Sequence, residues 1–169
     1  IVRDAVVSII VLRALQARPG AVIILSENTS AAVEEDAKNL GFRVVRSRVG
    51  KTYAEIDKES AVFASEPSKI VDPKWGMWED GMYCAAVIVD ALAKDPSLFA
   101  MVNNNNNSAL GWHYRQVNIP IAVDFDKLVA AATAGAFGGF RIAETRRLDG
   151  LKLVFKDDSW IMFRSSGTE

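Results

Sequence analysis

Short apolar runs alternate with helical patterns through the first ninety residues of the chain. Ala21–Leu25 is β-branched and contains no polar residue, a pattern typical of a strand buried on both faces of a parallel sheet. Alternation of such strands with helices predicts a three-layer α/β domain with a mostly parallel sheet. Two further strands are predicted, Phe42–Arg46 and Val62–Ala64, with helices over Ile1–Ala17, Ala31–Leu40, Tyr53–Glu59 and from near Asp80 to Leu92.

The pattern changes after residue 113, where short strands outnumber helices. Tyr114–Pro120 alternates like an edge strand that ends at proline. Asp124 or Asp126 is suited to cap an Ala-rich helix that reaches Ala134, and glycines 135, 138 and 139 are predicted to close it. Together with the hairpin residues between the remaining strands, this predicts a smaller α+β domain with an antiparallel sheet. Those strands are Arg141–Arg147, Leu151–Phe155 and Trp160–Phe163.

The two patterns define a domain organisation. Residues 1–98 are predicted as the α/β domain and residues 113–169 as the α+β domain. Residues 99–112 contain the polar run Asn103–Asn107, which has nothing to bury and predicts a flexible linker. The first residue is not methionine and the last predicted strand leaves an open sheet edge, so we expect a piece of a longer protein.

Composition limits the kind of partner and the kind of site. The chain has 169 residues and a formal net charge of -1, so no bulk field attracts it to nucleic acid or to an anionic membrane. One cysteine and one histidine exclude a Cys/His metal site and an internal disulfide. The apolar run Ala5–Leu12 is too short to span a bilayer. We therefore expect a cytoplasmic protein in which Cys84 is a small core residue.

A polar loop follows the third predicted strand and is the first candidate site. Residues 65–81 leave the carboxyl end of a buried strand, where open α/β sheets usually bind ligands. Glu66 and Ser68 can accept and donate hydrogen bonds to a polyhydroxylated ligand. The alternative is a solvated Glu66 and a Ser68 that only shapes a turn. Trp75 and Trp78 could stack on a sugar, although packing the loop onto its own domain is the commoner use of tryptophan.

The end of the chain is the second candidate site. Arg164 supplies a planar fork that suits phosphate oxygens, Ser166 and Thr168 add hydroxyl donors, and Gly167 lets backbone N–H groups turn towards an anion. The alternative is a turn rich in small residues. Lys51, in the loop after the second strand, is either a ligand contact or a solvated lysine.

Four motifs carry a resemblance to a known family. Arg164–Glu169 resembles the Arg-x-Ser-Gly-Thr-Glu phosphate-binding loop of the α-D-phosphohexomutase superfamily, and Ser65–Ser68 resembles its sugar-binding loop Gly-Glu-x-Ser-Gly-His. Asp80-Gly81 and Val49–Tyr53 are similar to two further family segments in the same order. The resemblance covers the family's third domain and most of its fourth.

The resemblance implies a function for the full-length protein. Such an enzyme interconverts hexose 1-phosphate and hexose 6-phosphate through a phosphoserine and a hexose 1,6-bisphosphate intermediate, with Mg2+ bound by an upstream domain. Glu66 and Ser68 would bind ring hydroxyls, while Lys51 and the 164–168 segment would bind phosphate. The serine loop and the Asp-rich metal loop are absent from this sequence, so the chain alone is expected to be inactive. Its partners would be a sugar phosphate and the upstream domains.

Departures from the family pattern leave the choice of sugar open. Lys69-Ile70 stands where many members have Gly-His, Lys51 stands where many have His, and a basic residue near 28–30 is missing. A phosphoglucosamine mutase and a non-catalytic sugar-phosphate-binding module therefore stay open as alternatives. A nucleotide-binding α/β domain is disfavoured because no Gly-x-Gly-x-x-Gly or Walker loop follows any strand.

Overall fold

The structure is a computed structural model that describes residues 4–15, 18–67, 69–98, 100, 115–117, 119, 124–133 and 135–165. The chain divides into two compact units, residues 1–113 and 114–169. Apart from residue 100, the predicted linker lies outside the described residues. Within the described ranges, no helix is both long and apolar enough to cross a bilayer.

A four-stranded sheet forms the centre of the first unit, in the order β2-β1-β3-β4. The strand β1 pairs in parallel with both β2 and β3, and β4 pairs antiparallel with β3. The predicted mostly parallel sheet is thus confirmed. The strands are β1 (Val22–Ser26), β2 (Arg43–Ser47), β3 (Phe63–Glu66) and β4 (Lys69–Val71).

Helices cover both faces of this sheet because its strand residues alternate between two apolar clusters. Ile23 and Leu25 of β1 pack in one cluster with helices α1, α2 and α4, whereas Ile24 packs in the other with Ile56 of α3. Gly41 follows α2 with a φ of +82°, as expected for a helix terminator. The helices are α1 (Asp4–Ala14), α2 (Ala31–Asn39), α3 (Thr52–Glu59) and α4 (Gly81–Lys94).

The structure corrects the predicted third strand and the loop after it. The strand continues two residues further, so Ser65 and Glu66 lie in β3 rather than in a loop. The strand β4 was not predicted, because Lys69-Ile70-Val71 is too short to show a pattern of its own. Glu66 pairs with Lys69 in the register of this hairpin. The polar segment that begins at Ser65 is therefore partly sheet.

The second unit contains an antiparallel sheet in the order β5-β6-β7-β8. Its helix α5 (Phe125–Thr133) packs on this sheet through a cluster that includes Leu128, Val129 and Leu153. The predicted α+β class with an antiparallel sheet is confirmed. The strands are β5 (Ala136–Phe137), β6 (Phe140–Arg146), β7 (Leu151–Phe155) and β8 (Trp160–Phe163).

Two predictions for the second unit are wrong. Gly138 and Gly139 do not end the helix but form the turn between β5 and β6, with φ values of +55° and +85° that suit a two-residue hairpin. Residues 115–117 and 119 carry no strand, although residues 114–120 alternate in the sequence. The remaining residues of that predicted strand lie outside the described ranges.

Candidate functional site

The carboxyl ends of the three parallel strands bring buried polar residues together in the first unit. Ser26, Ser47 and Ser65 end or nearly end β1, β2 and β3, and each is buried. Parallel strands end at the same side of their sheet, so the loops after them converge there. This part of the first unit is the candidate binding site.

Glu66 is the central side chain of that site. Its side-chain atom Oε1 accepts a hydrogen bond of 2.7 Å from the backbone N–H of Gly50 and one of 3.2 Å from the hydroxyl of Thr52. Both Glu66 and Thr52 are buried, at 5% and 1% exposure. The carboxylate therefore joins β3 to the loop that carries Lys51. With Ser65, these residues form what we call the strand-end cluster: Gly50, Thr52, Ser65 and Glu66.

Hydrogen bonds of hydroxyl groups hold the end of β3 in place. The hydroxyls of Ser65 and Ser8 of α1 lie 2.7 Å apart, and the Thr29 hydroxyl donates to the carbonyl of Ser65 at 3.3 Å. Ser65 in turn donates to the carbonyl oxygens of Glu66 and Lys69. These bonds satisfy buried polar groups and fix the position from which the Glu66 side chain extends.

Arg46 holds the loop after β1 against β2. It donates to the carbonyl oxygens of Ser26 at 2.7 Å and Thr29 at 3.1 Å, and its guanidinium pairs with Glu34 of α2. Burial raises the pKa of Glu34, but the charges of Arg46 and Lys38 outweigh it and lower that pKa to about 2. A strong ion pair thus fixes the first of the three loops.

Two exposed lysines flank the strand-end cluster. Lys51 stands between Gly50 and Thr52 and its side chain makes no capping bond to α3. Lys69 lies opposite Glu66 in the hairpin, and its Nζ is 3.1 Å from a carboxylate oxygen of Glu79. Lys51 was predicted as a phosphate contact, and its position beside the cluster is compatible with that prediction.

The segment from Asp72 to Asp80, here called the aromatic loop, connects β4 to α4. The Trp75 ring stacks on Tyr83 with centroids 4.9 Å apart, and its Nε1 donates to Asp80 at 3.1 Å. Burial together with a hydrogen bond to Asp72 raises the pKa of Tyr83 to about 12. The backbone N–H of Tyr83, the indole N–H of Trp75 and the N–H of Met82 lower the pKa of Asp80, which caps α4. Trp75 thus packs on its own unit, the commoner of the two expected uses.

The predicted phosphate segment begins beside a tight turn in the second unit. Arg164 Nε donates to Asp149 Oδ2 at 3.1 Å. The neighbouring Gly150 has a φ of +84°, and a Cβ added there would lie 2.2 Å from the carbonyl oxygen of Phe163. A guanidinium has five N–H donors, so this contact is compatible with phosphate binding. Ser166, Gly167 and Thr168, as well as Ser68 of the first unit, lie outside the described residues.

Other expectations about site chemistry concern cysteine and metals. Cys84 is half-buried and packs against the main apolar cluster, and burial raises the pKa of its thiol. It is thus a packing residue, as expected. Among the described residues, no group of three or more His, Cys, Asp or Glu side chains is placed to hold a metal ion.

Sequence reasoning missed the residues that hold Glu66. Thr52 and Gly50 were noted only as parts of a motif, and Ser8 was not singled out. Their contacts with Ser65 and Glu66 span 14 to 57 positions, so no local pattern reports them. The one signal available was the polar Thr52 at the start of an amphipathic helix, two residues after a glycine.

The fold of the first unit is that of an alpha/beta/alpha domain of the phosphoglucomutase/phosphomannomutase class. Residues 3–106 match the family model for phosphoglucomutase/phosphomannomutase, alpha/beta/alpha domain III. The chain belongs to this family, so the resemblance noted from the motifs is confirmed.

Relatives and solved structures extend the likeness along the chain. A phosphopentomutase of Thermococcus kodakarensis is 24% identical over 98% of this chain and 37% of its own length. A probable phosphoglucosamine mutase of Pyrococcus horikoshii is 25% identical over 87% of this chain and 32% of its own length. A putative phosphomannomutase from Thermus thermophilus has the same fold, with a TM-score of 0.70 at 17% identity over 96% of this chain and 34% of its own. The chain thus spans about a third of the length of these proteins.

Proposed function

We propose that this chain is the substrate-binding part of a phosphohexomutase that interconverts hexose 1-phosphates and hexose 6-phosphates. The observation that supports it most is the contact of Glu66 with Gly50 and Thr52. It joins two of the motif segments at the ligand-binding side of an α/β sheet, in a chain of the phosphoglucomutase/phosphomannomutase family.

In this proposal the two units bind different parts of the substrate. Glu66 and Ser68 bind ring hydroxyls, while Arg164, Ser166, Gly167 and Thr168 bind the phosphate that is not being transferred, with Lys51 adding positive charge. Phosphate held away from the reacting centre supplies binding energy that positions the sugar. The phosphoserine and the Mg2+ that such a reaction uses belong to another part of a longer, cytoplasmic protein. The hexose 1,6-bisphosphate is the intermediate that reorients between the two half-reactions.

A second candidate is a phosphoglucosamine mutase. It is supported by relatives of that name, including a probable phosphoglucosamine mutase of Methanosphaera stadtmanae that is 25% identical over 89% of this chain. Lys69-Ile70 in place of Gly-His alters the loop that would read the sugar, so the motif itself favours neither hexose.

An assay of the full-length protein tests the proposal. Glucose, mannose and glucosamine phosphates and a pentose phosphate are supplied in turn, and 31P NMR follows the movement of the phosphoryl group. We expect turnover of at least one hexose phosphate by the full-length protein and none by the 169-residue chain alone. Turnover of the pentose phosphate alone would contradict the proposal. Binding of hexose phosphate without any turnover would indicate a non-catalytic module.

A further inference from the structure

The aromatic loop is held rigidly although its largest side chains are exposed. Asp72 accepts hydrogen bonds from the Tyr83 hydroxyl and from the backbone N–H of Lys74, and its carbonyl accepts from the N–H groups of Trp75 and Gly76. Trp75 is fixed further by Tyr83 and by Asp80. The conformation of this loop is therefore set by contacts that leave little freedom.

These contacts do not bury the loop's apolar surface. Trp75 is 53% exposed and Trp78 is 58% exposed, with Met77 between them at 38%. The Trp78 ring lies against Gly76, where an added Cβ would approach Cη2 to 2.3 Å. One side of the ring is thus supported by the loop while more than half of the side chain remains open. Large apolar side chains that are held in place but left exposed commonly mark a binding surface.

The open tryptophan is connected to the candidate site through its neighbour in the chain. Glu79 follows Trp78 in the chain, and its carboxylate is 3.1 Å from Lys69 Nζ. Lys69 is in turn the cross-strand partner of Glu66. The aromatic loop is therefore linked to the strand-end cluster by one ion pair and one strand pairing. A ligand that extends from Glu66 past Lys69 and Glu79 would meet this loop.

We propose that the Trp78 indole is a stacking surface for the sugar ring of the ligand. This inference rests on the proposed function and adds a specificity contact to it. One face of a pyranose carries several C–H groups and packs on an aromatic ring, while its hydroxyls point outward to polar partners. Glu79, the next residue in the chain, and its ion-pair partner Lys69 supply polar groups that suit such hydroxyls.

The test compares binding of sugar phosphate with binding of phosphate alone. Calorimetry on the 169-residue chain measures dissociation constants for glucose 6-phosphate, mannose 6-phosphate, glucosamine 6-phosphate and inorganic phosphate. Trp78→Ala is expected to weaken the binding of the sugar phosphates about three- to tenfold and to leave the dissociation constant for inorganic phosphate unchanged. Trp78→Phe should restore most of the loss, because a smaller ring still stacks. Leu40→Ala, which removes a side chain of 41% exposure at the end of α2, is the matched control and should change neither.

Each outcome decides something. If the unmodified chain binds the sugar phosphates and Trp78→Ala binds them equally well, the stacking surface is wrong while the proposed function stands. An equal loss for sugar phosphates and inorganic phosphate would show a general effect on the loop and also overturn the inference. If the unmodified chain binds no sugar phosphate, both proposals fail. A change in sedimentation with unchanged sugar affinity would assign Trp78 to a protein contact instead.

Discussion

Glu66 illustrates how a buried acid depends on the groups that hold it. A carboxylate at 5% exposure is tolerable only with hydrogen-bond donors, and Gly50 and Thr52 supply two. The Gly50 donor is backbone and survives most substitutions. The Thr52 hydroxyl is therefore the contact through which the orientation of Glu66 can be tested.

We expect Thr52→Val to weaken the binding of glucose 6-phosphate about fivefold, because one donor that orients Glu66 is lost. Thr52→Ser keeps the hydroxyl and should bind nearly as the unmodified chain does, although it also loses buried methyl surface. Calorimetry measures the affinity, and urea unfolding measures the stability of both variants. Equal affinity for Val and Ser would show that Thr52 does not position Glu66.

Glu34 is expected to make stability depend on pH in acid. Its pKa of about 2 lies below its ordinary value of 4.5, so the ion pair with Arg46 stabilises the fold above pH 4.5 and this contribution is lost as pH falls towards 2. We expect Glu34→Gln to remove about 2 kcal/mol at pH 7, a figure reduced for the partial solvation of the pair. Urea unfolding at pH 7, 5 and 3 measures the difference.

The control for this effect is a more exposed ion pair, between Glu59 at the end of α3 and Arg43 at the start of β2. Glu59 pairs with Arg43 at 2.9 Å, but the arginine side chain is 55% exposed. Glu59→Gln should therefore change stability by less than about 1 kcal/mol at any of these pH values. A constant difference between Glu34→Gln and the unmodified chain from pH 7 to pH 3 would contradict the assignment of the acid sensitivity to Glu34.

The helices and strands were predicted wherever apolar spacing alone determines them. Ala21–Leu25 was predicted as a strand because it is an unbroken apolar run. The observed strand β1 is Val22–Ser26, and apolar residues pack on both of its faces. The end of β3 was missed because Ser65 and Glu66 are polar and yet buried. Their burial depends on partners far along the chain, and a window of local sequence contains no information on such partners.

Turns are the elements in which a single glycine decides the structure. Gly139 and Gly150 have nearly the same φ, +85° and +84°, but only Gly150 lies against Phe163. Gly139→Ala should cost about 1 kcal/mol through backbone strain alone. Gly150→Ala adds a steric overlap with the strand that precedes Arg164 and should cost about 3 kcal/mol.

Hydrogen exchange of the amides in β7 measures the stability of both glycine variants, because β7 is an inner strand of the second sheet. An equal loss of protection for the two substitutions would show that the close approach of Gly150 to Phe163 is not present in solution. A larger loss for Gly150→Ala would confirm the close approach of this turn to Phe163.

The candidate site of this chain contains short motifs, which can be recognised in the sequence, and supporting residues, which cannot. Short motifs such as Ser65–Ser68 and Arg164–Glu169 could be recognised because their residue types match a chemistry, hydroxyl reading or phosphate binding. The supporting residues could not, since Ser8, Gly50 and Thr52 acquire their role only after folding brings them to Glu66 and Ser65. The choice of sugar is a still finer property, because it depends on how the whole site surrounds one ring.

The proposed binding of phosphate by the second unit has a kinetic consequence for the full-length protein. A contact to the phosphate that is not transferred both binds the substrate and helps to position the sugar, so its loss is expected to raise KM and also to lower kcat. We therefore expect Arg164→Ala to raise KM for hexose phosphate about tenfold through loss of a charge-assisted contact. Arg141→Ala, an exposed arginine of β6 outside the phosphate segment, is the matched control and should leave both constants unchanged. Steady-state kinetics at several ionic strengths measures KM and kcat of the two variants. An unchanged KM for Arg164→Ala would show that residues 164–169 are not part of the binding site.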